Sequence, residues 1–233
     1  MGRERRVRVR MMTTADVQID RDRTALLLVD LQPDFMPGGA LPVAEGDLIL
    51  SPVRALLERD PFGLYVATQD RHPPAHESFA SSHAGSRPFD VIELHGKPQT
   101  LWPDHCLQRS PGAALHPRIP WEKVSVIVRK GMEPDVDSYS GFRNSWDRHG
   151  ERPSTGLAGY LRERSIGAVF VCGLARDVCV KWTAEDAVAA GFVTSLLWDL
   201  SRPVDPESNG AVHRDLDRLS VRILTRERSS RAS

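Results

Sequence analysis

The sequence predicts an α/β protein, a single domain built on a mainly parallel sheet with helices on both faces. Three observations carry this prediction. Six short apolar runs, each bounded by turn residues, recur along the chain. Helix-period stretches separate several of them, and alternating strand and helix is the pattern of a parallel sheet covered by its crossovers. A length of 233 residues is enough for one well-buried core of this class without a second domain.

In chain order, the expected strands are Thr24 to Val29, Leu64 to Thr68, Val124 to Val128, Ala168 to Val171, Thr194 to Leu197 and Val221 to Leu224. Each is short and apolar at nearly every position, as strands buried on both faces are. The expected helices are Asp47 to Arg59, Gly156 to Glu163, Val178 to Ala190 and roughly Pro206 to Leu219. The segment from Arg71 to Lys123 is rich in Pro, His, Gly and Ser and shows no convincing periodicity. Irregular stretches of this length in a compact domain are usually functional. The domain is expected to span 21–226, between a disordered basic extension over 1–20 and a tail over 227–233.

Composition narrows the function. Lys plus Arg equals Asp plus Glu at 31 each, so no overall field gathers nucleic acid or an anionic membrane, and a small, weakly charged substrate fits better. Hydrophobic residues at 40% and charged residues at 27% are globular values, and no apolar run approaches the length of a bilayer span. The Arg-rich start, with Arg3, Arg5, Arg6, Arg8 and Arg10, lacks the apolar segment of a secretory signal, and Met11 and Met12 offer alternative starts. Three cysteines, Cys106, Cys172 and Cys179, with no C-x-x-C pair, suit a reducing, cytoplasmic location with at least one free thiol.

Ligands of open parallel sheets bind at the carboxyl ends of the strands, and here those ends carry an unusual set. The first strand ends in Asp30, the second in Asp70 and His72, the third in Lys130, and the fourth opens through a glycine loop into a helix beginning near Cys179. Singly, each has an ordinary explanation: Asp30 as a turn former, Lys130 as a solvated terminus, Cys179 as a buried helix cysteine. Yet the chain has only four lysines against many arginines, so an indifferent basic site would more often hold Arg. Among the thiols, Cys172 ends an apolar strand as a small hydrophobe and Cys106 lies in the irregular segment. Cys179, at a helix start whose N–H groups and dipole favour a thiolate, is the best nucleophile.

A second cluster is DRHPPAHESFASSH, with Asp70, His72, His76 and His83, followed by Asp104 and His105 in LWPDHC. Asp70 and His72, at i and i+2 of an extended segment, project to one side and can reach one ion with a further His from the loop. An Asp with two His and open positions suits zinc, iron or manganese, and implies a substrate-facing divalent ion.

In order, DLQPDFMPGGALPV, QDRHPPAHESF, GKPQTLWPDHC, RKGMEPDVDSYSGF and GLARDVCVKWTAEDA closely resemble the nicotinamidases of the isochorismatase-like cysteine hydrolases, from about Thr24 to about Val204. The resemblance implies a Rossmann-like three-layer fold and hydrolysis of nicotinamide to nicotinate and ammonia in NAD salvage. It further implies a triad of Asp30, Lys130 and Cys179, one divalent metal held by Asp70, His72 and His105, and a water-mediated contact from Ser78. His76 and His83 become second choices. Phe35 and Trp102 fall on positions that line the ring pocket, and Leu174-Ala175 on a cis peptide. Backbone N–H groups of Ala175 and Cys179 would then hold the oxyanion, and the Lys130 ammonium would lower the Cys179 pKa.

Two departures stand out. Arg176 replaces a small hydroxyl residue and Val178 an aromatic or His, so Arg176 is expected to narrow the mouth or add charge there. WDLSRPVD also differs from the commoner form, which bears on the pocket rim. The rivals are a superfamily amidohydrolase acting on a carbamoyl or ureido compound, which would lack the metal set; a thiol redox protein pairing Cys179 with Cys172; and a non-catalytic module on the same fold. Beyond nicotinamide no partner is implied, and whether the chain forms a homo-oligomer is left open.

Overall fold

The computed structural model describes residues 17–225 and the backbone of residues 12–13. The basic segment 1–11 and the tail 227–233 lie outside the described residues.

Among the described residues, seven parallel strands form one sheet: β1 (Met12–Thr13), β2 (Thr24–Val29), β3 (Leu64–Asp70), β6 (Val126–Lys130), β7 (Ala168–Leu174), β8 (Val193–Arg202) and β9 (Arg222–Thr225). Their order is β1-β9-β8-β7-β2-β3-β6. All six predicted strands are present within a few residues. Residues 12–13, expected to fall in the extension, instead pair with β9, and Val17 and Ile19 pack against the core. The fold therefore begins earlier than residue 21.

Alternation along β2 explains the two cores. Leu26 and Leu28 face one layer with Leu50, Val53, Leu56 and Leu57 of α1 (Leu50–Arg59). Ala25, Leu27 and Val29 face the other, with Leu157 and Leu161 of α2 (Leu157–Glu163), Ala184 and Ala187 of α3 (Lys181–Ala189), and Val212 and Leu216 of α4 (Asn209–Arg218). Every residue of β2 is buried, so its sequence is continuously apolar rather than alternating. α1 stops where Asp60 turns into the left-handed region at φ 53 and Pro61 follows. No helix of the described residues is long and apolar enough to cross a membrane.

The chain runs outward from β2 through β3 to β6, then returns to the other side of β2 for β7, β8 and β9. The switch point lies between β2 and β7, where a crevice opens at the strand ends. Gly173 permits their approach: at φ 117, a Cβ there would stand 2.0 Å from the Val29 carbonyl oxygen.

The segment 71–123 is not wholly irregular. It contains an antiparallel hairpin, β4 (Val91–Leu94) with β5 (Lys97–Thr100), absent from the sequence expectation. Both faces are largely open to solvent, so no apolar alternation marks it. The available signal was His95-Gly96, a two-residue loop with φ of 51 and 73, as a tight hairpin turn requires.

Candidate active site

Asp30 immediately follows β2 and is fully buried. Its backbone adopts φ 47, a region open to Asp more than to most residues, and it is held there by Thr68. The Asp30 N–H donates to Thr68 Oγ1 at 3.1 Å, and that hydroxyl donates to Asp30 Oδ1 at 2.6 Å. Lys130, the last residue of β6, brings its buried Nζ to 2.8 Å from Asp30 Oδ2, 3.0 Å from Asp70 Oδ1 and 3.4 Å from Cys179 Sγ, and donates to the Ser138 carbonyl at 3.1 Å. The structure thus brings Asp30, Lys130 and Cys179 together. It also joins them to Asp70 through the same ammonium, a link the sequence did not suggest.

Cys179 lies in a π-helical turn, Arg176–Val180, that leads from β7 into α3. The peptide bond Leu174-Ala175 before it is cis. At the sulfur, Lys130 acts in the expected direction and burial acts against it. Burial pushes the Cys179 thiol well above its ordinary pKa; Lys130 pulls the other way but does not prevail, with Asp30 and Asp70 reinforcing burial. Burial thus favours the neutral thiol form of the sulfur. Burial also raises Asp30 above the usual carboxylate range against the pull of Lys130, which suits it to accept a proton. Lys130 opposes its own burial with two carboxylate neighbours and stays well above the ordinary lysine value. Cys172 is sealed in the core with its pKa pushed up to about 12, and burial raises Cys106 as well.

Asp70 ends β3 and is clamped by Gln32, which accepts from the Asp70 N–H at 2.7 Å and donates to the Asp70 carbonyl at 2.8 Å. Burial opposes its ionisation, but His72 and Lys130 hold its carboxyl well below the usual range. His105 arrives from far along the chain because residues 106–108 run beside residue 72: the His72 N–H donates to the Cys106 carbonyl at 3.0 Å and Gln108 N–H to the His72 carbonyl at 2.8 Å. His72 Nε2 and His105 Nε2 then lie 3.1 and 3.3 Å from Asp70 Oδ2.

These residues fit a cation. His105 Nδ1 lies 2.8 Å from the Pro103 carbonyl, which can only accept, so Nδ1 is a donor and Nε2 is the nitrogen left to serve as a ligand. One ligand atom from each of Asp70, His72 and His105 lies within 4.8 Å of the others, a donor set of one carboxylate and two imidazoles that suits a divalent cation. Room for the ring of His72 depends on Gly131: a Cβ there, at φ 64, would stand 2.4 Å from His72 Cε1 and 2.6 Å from Nδ1.

A small, mostly apolar cavity joins the two clusters, lined by Phe35, Trp102, Tyr139, Ala175, Val178 and Val204 together with Asp70, His72, His105 and Cys179. Phe35 meets His105 edge-on at 5.5 Å, and Trp102 donates from Nε1 to the Tyr139 hydroxyl at 2.9 Å. A larger groove beside α1, lined by Leu56, Phe62 and Leu200 among others, contains none of these groups.

The remaining expectations divide. Ser78 Oγ lies 2.8 Å from His76 Nδ1, and His83 is turned onto the Glu77 carbonyl at 2.7 Å, apart from the cluster. Arg176 does not line the mouth. It is buried behind the turn, donating to Ser201 Oγ at 2.9 Å, Asn209 Oδ1 at 2.7 Å and the Trp198 carbonyl at 2.7 Å, with its guanidinium over the Trp198 ring. Its length lets it reach β8 and α4 rather than the cavity. Thr68, Gln32, Gly131, Asp137 and Tyr139 shape the site without having been singled out. Only the RKG and DSY sequences beside Lys130 hinted at the last three.

Buried thiol, carboxylate and ammonium at one strand-end crevice, beside an Asp-His-His cluster, define the class as an α/β cysteine hydrolase with a metal-competent site. The chain belongs to the isochorismatase family, whose Isochorismatase domain model matches residues 24–228. It is 46% identical over 181 residues to the nicotinamidase of Acinetobacter baylyi, covering 78% of this chain and 82% of that protein. It is 42% identical to that of Escherichia coli, covering 81% and 87%. Among solved structures, an Acinetobacter baumanii nicotinamidase/pyrazinamidase superposes with a TM-score of 0.83 at 39% identity, covering 89% of this chain and 98% of that one. PnC1 from L. infantum, in complex with nicotinate, gives 0.77 at 38% over 90% and 96%. A pyrazinamidase of Pyrococcus horikoshii in complex with zinc gives 0.70 at 35% over 87% and 99%.

Proposed function

We propose that this protein hydrolyses nicotinamide to nicotinate and ammonia through a thioester on Cys179, in NAD salvage in the cytoplasm. The observation that carries the reading is the contact of Lys130 with Asp30, Asp70 and Cys179 at once, because it sets a nucleophile and its base against an ion site across a small, mostly apolar cavity. The nicotinamidase relatives and the nicotinate complex of a similar structure support it.

Asp30 takes the thiol proton as Cys179 Sγ attacks the carboxamide carbon, and returns it to the nitrogen as ammonia leaves. Lys130 stays charged throughout and balances negative charge as it passes between Asp30 and the sulfur. Backbone N–H groups of Ala175 and Cys179 hold the oxyanion, each donor typically worth about 3 to 4 kcal/mol. Water then attacks the thioester carbonyl, Asp30 accepts its proton, and the thiol is regenerated with the acid released. Phe35 and Trp102 hold the ring. Asp70, His72 and His105 would hold one divalent cation, zinc ahead of iron or manganese, with Ser78 in reach through water; the zinc complex of a similar structure supports this. When bound, the cation supplies a Lewis-acidic anchor for the pyridine nitrogen.

The test is discrimination between amides. Zinc-loaded protein should cleave nicotinamide far better than benzamide, which has the carboxamide but no ring nitrogen. His105→Ala should raise the nicotinamide KM and shrink the preference. Comparable kcat/KM for the two amides in the zinc-loaded wild type would overturn the anchoring role. Ammonia release from ureido compounds alone would overturn the substrate.

A further inference from the structure

His72 presents a hydrogen-bonding problem that the metal ligands alone do not solve. To hold a cation at Nε2, the neutral ring must keep its proton on Nδ1, and a buried N–H needs an acceptor. His72 is buried and its Nδ1 has no hydrogen-bond partner. Beside it is a second triangle: a ring nitrogen of His72, a ring nitrogen of His76 and a carboxylate oxygen of Asp137 all lie within 4.8 Å of one another.

His76 is the wrong partner. Its Nδ1 accepts the Ser78 N–H at 3.1 Å, so a neutral His76 carries its proton on Nε2, which is also buried and unpartnered. His72 Nδ1–H and His76 Nε2–H would both be donors; His76 also has the Val136 backbone beside it, which leaves Asp137, whose carboxylate lies within 4.8 Å of a nitrogen of each ring, as the acceptor within reach of His72. The same proton count excludes a second ion in this triangle, since both rings would have to become imidazolates.

Asp137 is built to be held still. It is buried, Oδ1 accepts the Ser138 N–H at 2.7 Å and Oδ2 accepts from Gln99 Nε2 at 3.1 Å. Gln99 Nε2 also donates to the Tyr139 hydroxyl at 2.7 Å, the group that takes the Trp102 indole N–H. One polar network therefore runs from the cavity wall at Trp102 to Asp137, beside the His72 ring.

We infer that Asp137 is a positioning residue for the ion site. Its carboxylate accepts from His72 Nδ1–H, directly or through one water, and so fixes the tautomer and ring orientation that aim Nε2 at the cation. This rests on the proposed ligand role of Asp70, His72 and His105.

The experiment is competition for Zn2+ against a chromophoric chelator, using wild type, Asp137→Asn and Asp137→Ala, with alkylation of Cys179 by iodoacetamide measured in parallel. Expected is a loss of zinc affinity of roughly 10- to 100-fold, larger for Ala than for the isosteric Asn. The nicotinamide KM should rise more than kcat falls, and the alkylation rate should stay at the wild-type value. Wild-type protein that takes up no zinc would overturn the ligand assignment, and this inference with it. Zinc-binding wild type with equal affinity in Asp137→Asn and Asp137→Ala would overturn the inference alone. Alkylation slowed in step with zinc loss in both variants would also overturn it, because the residue would then support the whole site.

Discussion

Replacing Lys130 with Met removes one charge and leaves two carboxylates buried without it. The ammonium lies 2.8 Å from Asp30 Oδ2 and 3.0 Å from Asp70 Oδ1. At an effective dielectric of about 20 each contact is worth about 6 kcal/mol of Coulomb attraction before desolvation is counted. Breaking a buried pair by deleting one partner costs about 3 to 5 kcal/mol net, a large share of the roughly 5 to 15 kcal/mol that holds a domain folded. Proton uptake can limit this cost. Asp30, already raised by burial and by Asp70, should be the carboxyl that protonates, and it then ceases to be a base. Lys130→Met should therefore lower the urea midpoint, reduce ammonia release by about 100-fold or more, the usual worth of a general base, and slow alkylation of Cys179 near neutral pH. Thermal or urea unfolding, the ammonia assay and iodoacetamide kinetics check the three parts. A variant of wild-type stability that releases ammonia at more than a tenth of the wild-type rate would refute the reasoning.

Other outcomes follow from particular contacts. Cys179→Ala should abolish ammonia release while Cys172→Ala and Cys106→Ala keep most of it, because those two thiols line no part of the cavity; loss confined to the Cys172 variant would reverse the assignment. The acid limb of kcat/KM should lie above the ordinary aspartate value of about 3.9, since Asp30 must be ionised to act and burial raises it; activity is lost as pH falls through that raised value, and a limb at or below 3.9 would count against Asp30 as the base. Gly131→Ala should deplete zinc after dialysis without slowing Cys179 alkylation, because the new Cβ overlaps the His72 ring. Arg176→Ala should lower stability by about 2 to 4 kcal/mol, as the Trp198 and Ser201 carbonyls lose a buried donor. An unchanged urea midpoint with an altered KM would restore Arg176 to the mouth of the cavity.

Strand positions were legible because burial on both faces leaves an unbroken apolar run, and β2, β3 and β7 have almost no exposed residue. The strand-end rule then exposed Asp30, Asp70, His72, Lys130 and Cys179 without any long-range information, since each lies at or just past the end of a strand or on the turn that leaves it. The place of His105 was different. Its return to Asp70 depends on residues 106–108 pairing beside residue 72, a contact inside a segment with no period to read; the cluster left His76, His83 and His105 open, and the resemblance chose among them. The hairpin escaped for a related reason, as exposure on both faces removes the alternation that marks a strand.

Sequence by itself determined the order of the strands and helices and the kinds of side chain that meet at the sheet edge, because periodicity and strand ends are local properties of the chain. Tertiary structure decided which charges share a dry site and how far each is desolvated. It set burial against Lys130 at the Cys179 thiol, made Lys130 the bridge between both clusters, and drew Arg176 away from the cavity. Those outcomes depend on burial and on distances between residues far apart in the chain, and no local pattern encodes either.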